Sequence, residues 1–145
     1  MRALLCLALL ALAACKPDGR ALEEAERWLR VGRFVDARNQ YVDLTASHDA
    51  RVRVLAMVGA ARSSARLRDH NGARLWLERA VALPEVPGAS EEAYFEYAEH
   101  LRADGDHARA LNFYYRAAAG AEKYRSRGWP YQQAITAIAT MSTAP

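Results

Sequence analysis

Residues 105–117, with the sequence GDHARALNFYYRA, decide the fold of this chain. A Gly-Asp turn opens the segment, and Ala110, Tyr114 and Ala117 follow at offsets of four and three residues. On a helix these offsets place all three side chains on one face. Alanines on that face let a second helix approach closely, and the aromatic ring fills the space beside them. The segment therefore predicts the second helix of a tightly packed helix–turn–helix pair.

The same spacing occurs twice more, nearer the N-terminus. Each copy has an alanine, a large residue and an apolar residue in that order: Ala37, Tyr41, Leu44, and Ala73, Leu77, Ala80. The leading alanines of the three copies are 36 and 37 residues apart. This arrangement resembles the tetratricopeptide repeat (TPR), a helix–turn–helix unit of about 34 residues. The resemblance implies an all-α fold, a right-handed α-solenoid of about three TPR-like helix pairs plus a C-terminal capping helix. An irregular helical bundle with alanine-rich packing is the alternative.

Turn residues set the expected helix boundaries. We predict helices over 20–31, 34–44 and 50–66, a fourth ended by Pro84, a fifth that begins at Ser90 and a sixth after Gly105. In the second copy the turn glycine is displaced to Gly72. A last helix after Pro130 is expected to cap the open end of the stack, with its apolar residues inward: Tyr131, Ile135 and Ile138.

The N-terminal segment has the pattern of an export and lipidation signal. Residues 1–14 are typical of a lipoprotein signal peptide, because Arg2 is followed by an apolar run over residues 3–12. That run is shorter than the roughly 20 residues that a transmembrane helix needs. Leu12-Ala13-Ala14-Cys15 resembles the lipobox of bacterial lipoproteins. The resemblance implies cleavage before Cys15, a diacylglyceryl group on its sulfur and a further acyl chain such as palmitate on its amino group. An ordinary secretory peptide is the alternative.

These patterns divide the chain into four parts. They are the signal peptide (1–14), the lipidated N-terminus with a short linker (15–19), three TPR-like repeats (20–127) and a capping helix with its tail (128–145). Cys6 would leave with the signal peptide and Cys15 would be alkylated, so we expect no disulfide. Lys16 stands where enterobacterial lipoproteins retained in the inner membrane carry an aspartate. The expected location is therefore the bacterial cell envelope, on the periplasmic side of the outer membrane.

The charge pattern and the polar residues exclude two classes of function. Positive and negative side chains alternate and the net charge is only +3, so the single-sign patch of a nucleic-acid-binding protein is missing. The sequence also contains no zinc-protease pattern, no nucleophile elbow and no glycine-rich phosphate loop. We therefore expect no catalytic residues, no metal and no cofactor apart from the lipid on Cys15.

The TPR resemblance places the binding surface on the first helix of each pair, which lines the concave face. It gives these groove positions: Leu22, Glu26, Arg30, Val58, Arg62, Arg66, Phe95, Glu99 and Arg102. The arginines would form a basic stripe with apolar residues between them. Because arginine binds carboxylates through two parallel hydrogen bonds, an acidic or extended peptide segment is the expected ligand. Local Glu–Arg pairs on a solvated face are the alternative.

The family and the anchor together imply a function without catalysis. We expect a membrane-anchored TPR lipoprotein that acts as a protein–protein interaction scaffold or assembly factor. Similar family members act as pilotins for pilus or secretion pores, or as accessory lipoproteins in outer-membrane assembly. The alternative is a structural lipoprotein that self-associates into a homo-oligomer.

Overall fold

The described part of the chain is helical from end to end. The computed structural model describes residues 18–125 and 130–143. These residues form seven helices: α1 (Asp18–Arg30), α2 (Phe34–Leu44), α3 (Ala50–Arg66), α4 (His70–Ala82), α5 (Ser90–Ala103), α6 (His107–Lys123) and α7 (Tyr131–Ser142). The predicted all-α class is confirmed. The signal peptide and Cys15 lie outside the described residues. In the described ranges, every helix is too short or too polar to cross a membrane.

The predicted helix boundaries agree closely with the structure. Helices α2 and α3 span the predicted ranges, and α5 begins at Ser90. Helix α1 begins at Asp18, two residues before the predicted start, and the Ser47 hydroxyl donates a hydrogen bond to the Asp18 carboxylate. Helix α4 begins at His70, because the Asp69 carboxylate accepts a hydrogen bond from the N–H of Gly72 at 2.9 Å and caps the helix.

Helices α1, α3 and α5 end in the same turn. Gly32, Arg68 and Gly105 have positive φ angles of 83°, 61° and 83°. In each turn the residue after the left-handed one donates its N–H to the carbonyl oxygen five residues earlier, at 2.9 Å. These hydrogen bonds run from Arg33 to Trp28, from Asp69 to Ser64 and from Asp106 to Leu101. This is the Schellman ending of a helix. The prediction that the turn glycine is displaced to Gly72 was wrong, since Arg68 takes the left-handed position and Gly72 lies inside α4.

Consecutive helices pack against each other throughout the described chain. The odd-numbered helices also contact each other, α1 with α3 and α3 with α5. The predicted contact alanines Ala37, Ala73 and Ala110 are at most 1% exposed. A second set of buried alanines recurs at the same interval on the odd-numbered helices: Ala25, Ala61 and Ala98. These small side chains explain how neighbouring helices approach so closely.

Tyr41 fills the space between α2 and α3. Its ring is fully buried, and a Cβ at Gly59 would lie 2.3 Å from its Cε1 atom and 2.4 Å from its Cζ atom. The ring therefore occupies the volume that a side chain at residue 59 would need. One repeat later, Leu77 and Glu96 stand at the equivalent positions. The two junctions between repeats are thus built from different pairs of side chains.

Helix α7 covers the last helix pair through an unexpected face. Tyr131 and Ile138 pack against the core of the neighbouring pairs, as predicted. Ile135 does not, since it is 42% exposed. Ala134 is fully buried, and Met141 packs against the same core. The buried stripe therefore follows Ala134, Ile138 and Met141 at helical spacing, which leaves Ile135 at its edge.

Candidate partner-binding groove

Three neighbouring clefts lie along the odd-numbered helices, and together we call them the groove. The α1 section, of about 330 Å³, is lined by Leu22, Glu23, Glu26, Arg30, Leu55 and Glu92. The middle section, of about 210 Å³, lies among α3, α4 and α5 and includes Arg62, Glu96, Glu99 and His100. The α7 section, of about 490 Å³, lies between α5 and α7. Glu99 lines both of the last two sections, so these two sections adjoin each other.

Arg62 connects α3 to α5 in the middle of the groove. Its Nη2 atom lies 2.8 Å from a carboxylate oxygen of Glu92 and 2.7 Å from one of Glu96, and its Nε atom donates to Glu96 at 3.0 Å. Burial acts to lower the pKa of Arg62, but the two carboxylates raise it further than burial lowers it. The guanidinium therefore stays charged, and that charge is balanced inside the chain.

Arg102 is paired in a similar way at the α7 section. Its Nη2 atom lies 2.7 Å from Glu99, and its Nε donates to the Tyr114 hydroxyl at 3.2 Å. The Tyr114 hydroxyl donates in turn to Glu99. Burial acts to raise the pKa of Glu99, but the hydrogen bonds from Arg102 and Tyr114 bring it below its ordinary value. This network fixes the wall of the groove that α5 forms.

The structure brings together most of the predicted groove residues. Leu22, Glu26 and Arg30 line the α1 section, and Phe95, Glu99 and Arg102 line the α7 section. Phe95 is 7% exposed and its ring packs against that of Tyr114, with the centroids 5.8 Å apart. It therefore forms part of the floor of its section.

Two predicted residues do not line the groove. Val58 is 1% exposed and lies in a core cluster with Val54 and Ala80, so it offers almost no surface to a ligand. The guanidinium of Arg66 lies over the ring of Phe34, 5.9 Å from its centroid, and thus against α2. With Arg62 paired to carboxylates as well, the arginines do not form an unpaired basic stripe.

Sequence reasoning found only part of the acidic side of the groove. Glu23, Glu92 and Glu96 line it, and none of them was among the predicted positions. A signal for two of them was present, because Glu92, Glu96 and Glu99 are four and three residues apart and share one helical face. Leu55 was also missed, and it adds an apolar side chain to the α1 section.

The α7 section is polar but largely uncharged on the α7 side. That side consists of amide, hydroxyl and methyl groups: Gln132, Gln133, Thr136, Ala137 and Thr140. Amide side chains carry both donors and acceptors, so they can pair with the backbone of an extended segment. The uncharged face of α7 is therefore turned toward the groove.

Comparison with known proteins finds no matching family model, no matching curated protein and no matching solved structure. Within residues 18–125 and 130–143, no three metal-ligating side chains are grouped closely enough to hold an ion. The site is defined by its geometry, which is that of an open groove along a series of paired helices.

Proposed function

We propose that this protein is a membrane-anchored TPR lipoprotein that binds a partner protein in the groove and acts as a scaffold or assembly factor in the bacterial envelope. The observation that carries the proposal is that three neighbouring clefts lie along the odd-numbered helices. A solenoid presents its partner-binding surface in this way, on one helix of every repeat.

Repeated local structure supports a solenoid of three TPR-like pairs capped by α7, which the TPR resemblance would make right-handed. The same helix-ending turn occurs at Gly32, Arg68 and Gly105, and buried alanines recur with the same interval on both helices of each pair. The odd-numbered helices contact each other across the repeats. The turns and the buried alanines recur at intervals of 36 and 37 residues, which are the intervals of the sequence repeat.

The lipobox-like motif supports an anchor at Cys15, and the short linker places the helices near the membrane. Only residues 16 and 17 separate that cysteine from α1. Three virtual bonds from Cys15 to Asp18 span at most about 11 Å. We infer that the groove works close to the lipid surface, on the periplasmic side of the outer membrane, as in pilotin-like or outer-membrane assembly lipoproteins. No step of this function requires catalysis.

Site-specific photocrosslinking in cells tests the proposal. A photoreactive amino acid at Gln133 in the α7 section should give a covalent adduct with one dominant protein. The matched position is Val35, which is 52% exposed on α2 and does not line the groove. It should give no such adduct. Cys15→Ser should abolish the Gln133 adduct, because the protein would no longer be held at the membrane. If Gln133 and Leu22 both fail to form adducts in membranes, the groove is not a partner site.

Self-association is the second candidate, and one observation favours it. An apolar cleft of about 340 Å³ lies between α6 and α7, with Tyr115 53% and Ile135 42% exposed at its sides. Exposed apolar patches commonly mark contact surfaces between proteins. A photoreactive residue at Ile135 would then give an adduct of twice the mass of the chain. A dimer adduct from Ile135, with none from Gln133, would favour the structural lipoprotein.

A further inference from the structure

We propose that the α1 section of the groove binds a cationic segment of the partner, with lysine or arginine side chains set among aliphatic ones. This inference rests on the proposed function, because it names the chemistry of the segment that the groove receives. It also reverses the acidic ligand expected from the arginine positions in the sequence. The reason is the balance of charge that the folded chain creates.

Carboxylates outnumber cations around the α1 section. Glu23, Glu26 and Glu92 line it together with Arg30, and the guanidinium of Arg62 links Glu92 to Glu96 next to it. Four carboxylates thus face two guanidinium groups, which gives a net charge of −2. The ion pairs of Arg62 already use Glu92 and Glu96. Glu23 and Glu26 form no ion pair among the described residues, so their charges are available to a ligand.

A buried hydroxyl lies close to the carboxylates of the same section. Tyr41 is fully buried, and its hydroxyl interacts with the Glu26 carboxylate. The charged groups that act on it are Glu26, Arg62 and Glu92. Burial raises the pKa of Tyr41, and the Glu26 carboxylate raises it further. The phenol oxygen therefore lies behind the carboxylates that line the section, and an ammonium with three N–H donors is suited to the carboxylate oxygens that the section itself presents.

The apolar residues of the section fit the rest of a cationic side chain. Leu22 and Leu55 are half-buried walls of the cleft. Lysine and arginine bury their methylene stems against apolar surface while the charged group reaches polar partners. An acidic segment would instead bring negative charge toward Glu23 and Glu26, and like charges across an interface oppose binding.

Paired peptides test this inference on the full chain in a neutral detergent. The two fluorescent probes are 12-residue peptides of leucine, alanine and either lysine or glutamate at the same positions. Anisotropy titrations at pH 7 should show binding of the lysine peptide, with affinity falling as salt rises. Equal or tighter binding of the glutamate peptide would overturn the inference. The inference would also be overturned if the lysine peptide showed no binding at protein concentrations up to about 1 mM, since any remaining affinity would then be negligible.

Two charge-matched double variants locate the effect. Glu23→Gln with Glu26→Gln should weaken the lysine peptide about tenfold, since it removes both available carboxylates. Asp36→Asn with Asp43→Asn makes the same change in net charge on α2, and should leave the affinity within about twofold. Equal weakening by both pairs would mean that the peptide responds only to overall charge, and would overturn the assignment to the α1 section. Thermal melting of each variant confirms that the fold is kept.

A crosslinking measurement separates this inference from the proposed function. A photoreactive residue at Leu55, followed by mass spectrometry, identifies the partner segment that occupies the α1 section. A segment with net positive charge supports the inference. An adduct whose segment is neutral or acidic leaves the scaffold function in place and removes the charge assignment. Failure of all groove positions to form adducts removes the function itself, whatever the peptides do.

Discussion

Replacing Gly59 with alanine should destabilise the fold, although alanine is the better helix former. Gly59 lies within α3, where Gly→Ala normally adds about 0.5–1 kcal/mol of stability. Here the added Cβ would lie 2.3–2.6 Å from the Cε1, Cζ and Cδ1 atoms of Tyr41. Because the Tyr41 ring is fully buried and stiff, it cannot move aside without displacing α2 from α3.

The expected size of the effect follows from two opposing contributions. Overpacking a well-filled core costs roughly 1–3 kcal/mol. The gain in helix propensity offsets about 0.5–1 kcal/mol of that cost. We therefore expect the free energy of unfolding to fall by about 1 kcal/mol, within limits of roughly 0 and 2.5 kcal/mol. In a chain of this length that corresponds to a drop in melting temperature of several degrees.

Thermal melting followed by circular dichroism measures this change on the full chain in detergent. The control is Gly19→Ala, because a Cβ at Gly19 would meet no atom within 4 Å and the residue is exposed in the first turn of α1. Its melting temperature should stay the same or rise slightly. Tyr41→Leu should be better tolerated in the Gly59→Ala background than in the wild type, since the smaller side chain removes the clash. Such a difference is the coupling that a double-mutant cycle detects.

A rise in melting temperature for Gly59→Ala would refute this reasoning. It would mean that the Tyr41 ring does not fill the space over residue 59, and that the contact between the first two repeats is looser than described. Additive effects of Gly59→Ala and Tyr41→Leu would lead to the same conclusion.

Two further perturbations test the turns and the α7 section. Arg68→Gly should raise stability by about 0.5–1 kcal/mol, because it relieves a left-handed arginine while adding freedom to the unfolded chain. The control is Arg74→Gly inside α4, which should lower stability by about 1 kcal/mol because glycine is a poor helix former. If Arg68→Gly lowers the melting temperature as Arg74→Gly does, the assignment of the turn is contradicted. Glu99→Gln should lower the melting temperature at pH 7. Since the folded-state pKa of Glu99 lies below its ordinary value of 4.5, its contribution is present above that value and is lost as the pH falls through the folded-state pKa. The difference between Glu99→Gln and wild type should therefore shrink as the pH falls below 4.5, and a gap that stays constant with pH would exclude this account.

Much of the helical architecture could be predicted because its signals are local. The stripe of Ala110, Tyr114 and Ala117 is contained in eight residues, and each member is fully buried. Loop residues such as Pro84 and Gly105 likewise act on their immediate neighbours. Arg68 was missed because nothing in its local sequence marks a left-handed residue. Only the register of the repeat, 36 residues after Gly32 and 37 before Gly105, points to it.

The charge of the groove could not be predicted because it depends on contacts between distant residues. Arg62 meets Glu96 across 34 residues of sequence, and only the packing of α3 on α5 brings them together. Repeat spacing predicted which helices line the groove, but not how far a side chain protrudes from them. Val58 and Arg62 are one turn apart on the same helix, yet Val58 is buried while Arg62 reaches the cleft.

The unequal junctions between the repeats bear on how the chain avoids misassembly. Similar repeats can dock in the wrong order or exchange with a second chain, which is a common failure of repeat proteins during folding. Tyr41 fits over Gly59, whereas the equivalent position in the next repeat carries Glu96. If α2 docked on α5 in place of α3, its ring would meet a glutamate side chain where it now meets a bare backbone. The contact of a large side chain with a glycine therefore favours α3 over α5 as the neighbour of α2, and this preference works against docking of the first helix pair in the wrong place.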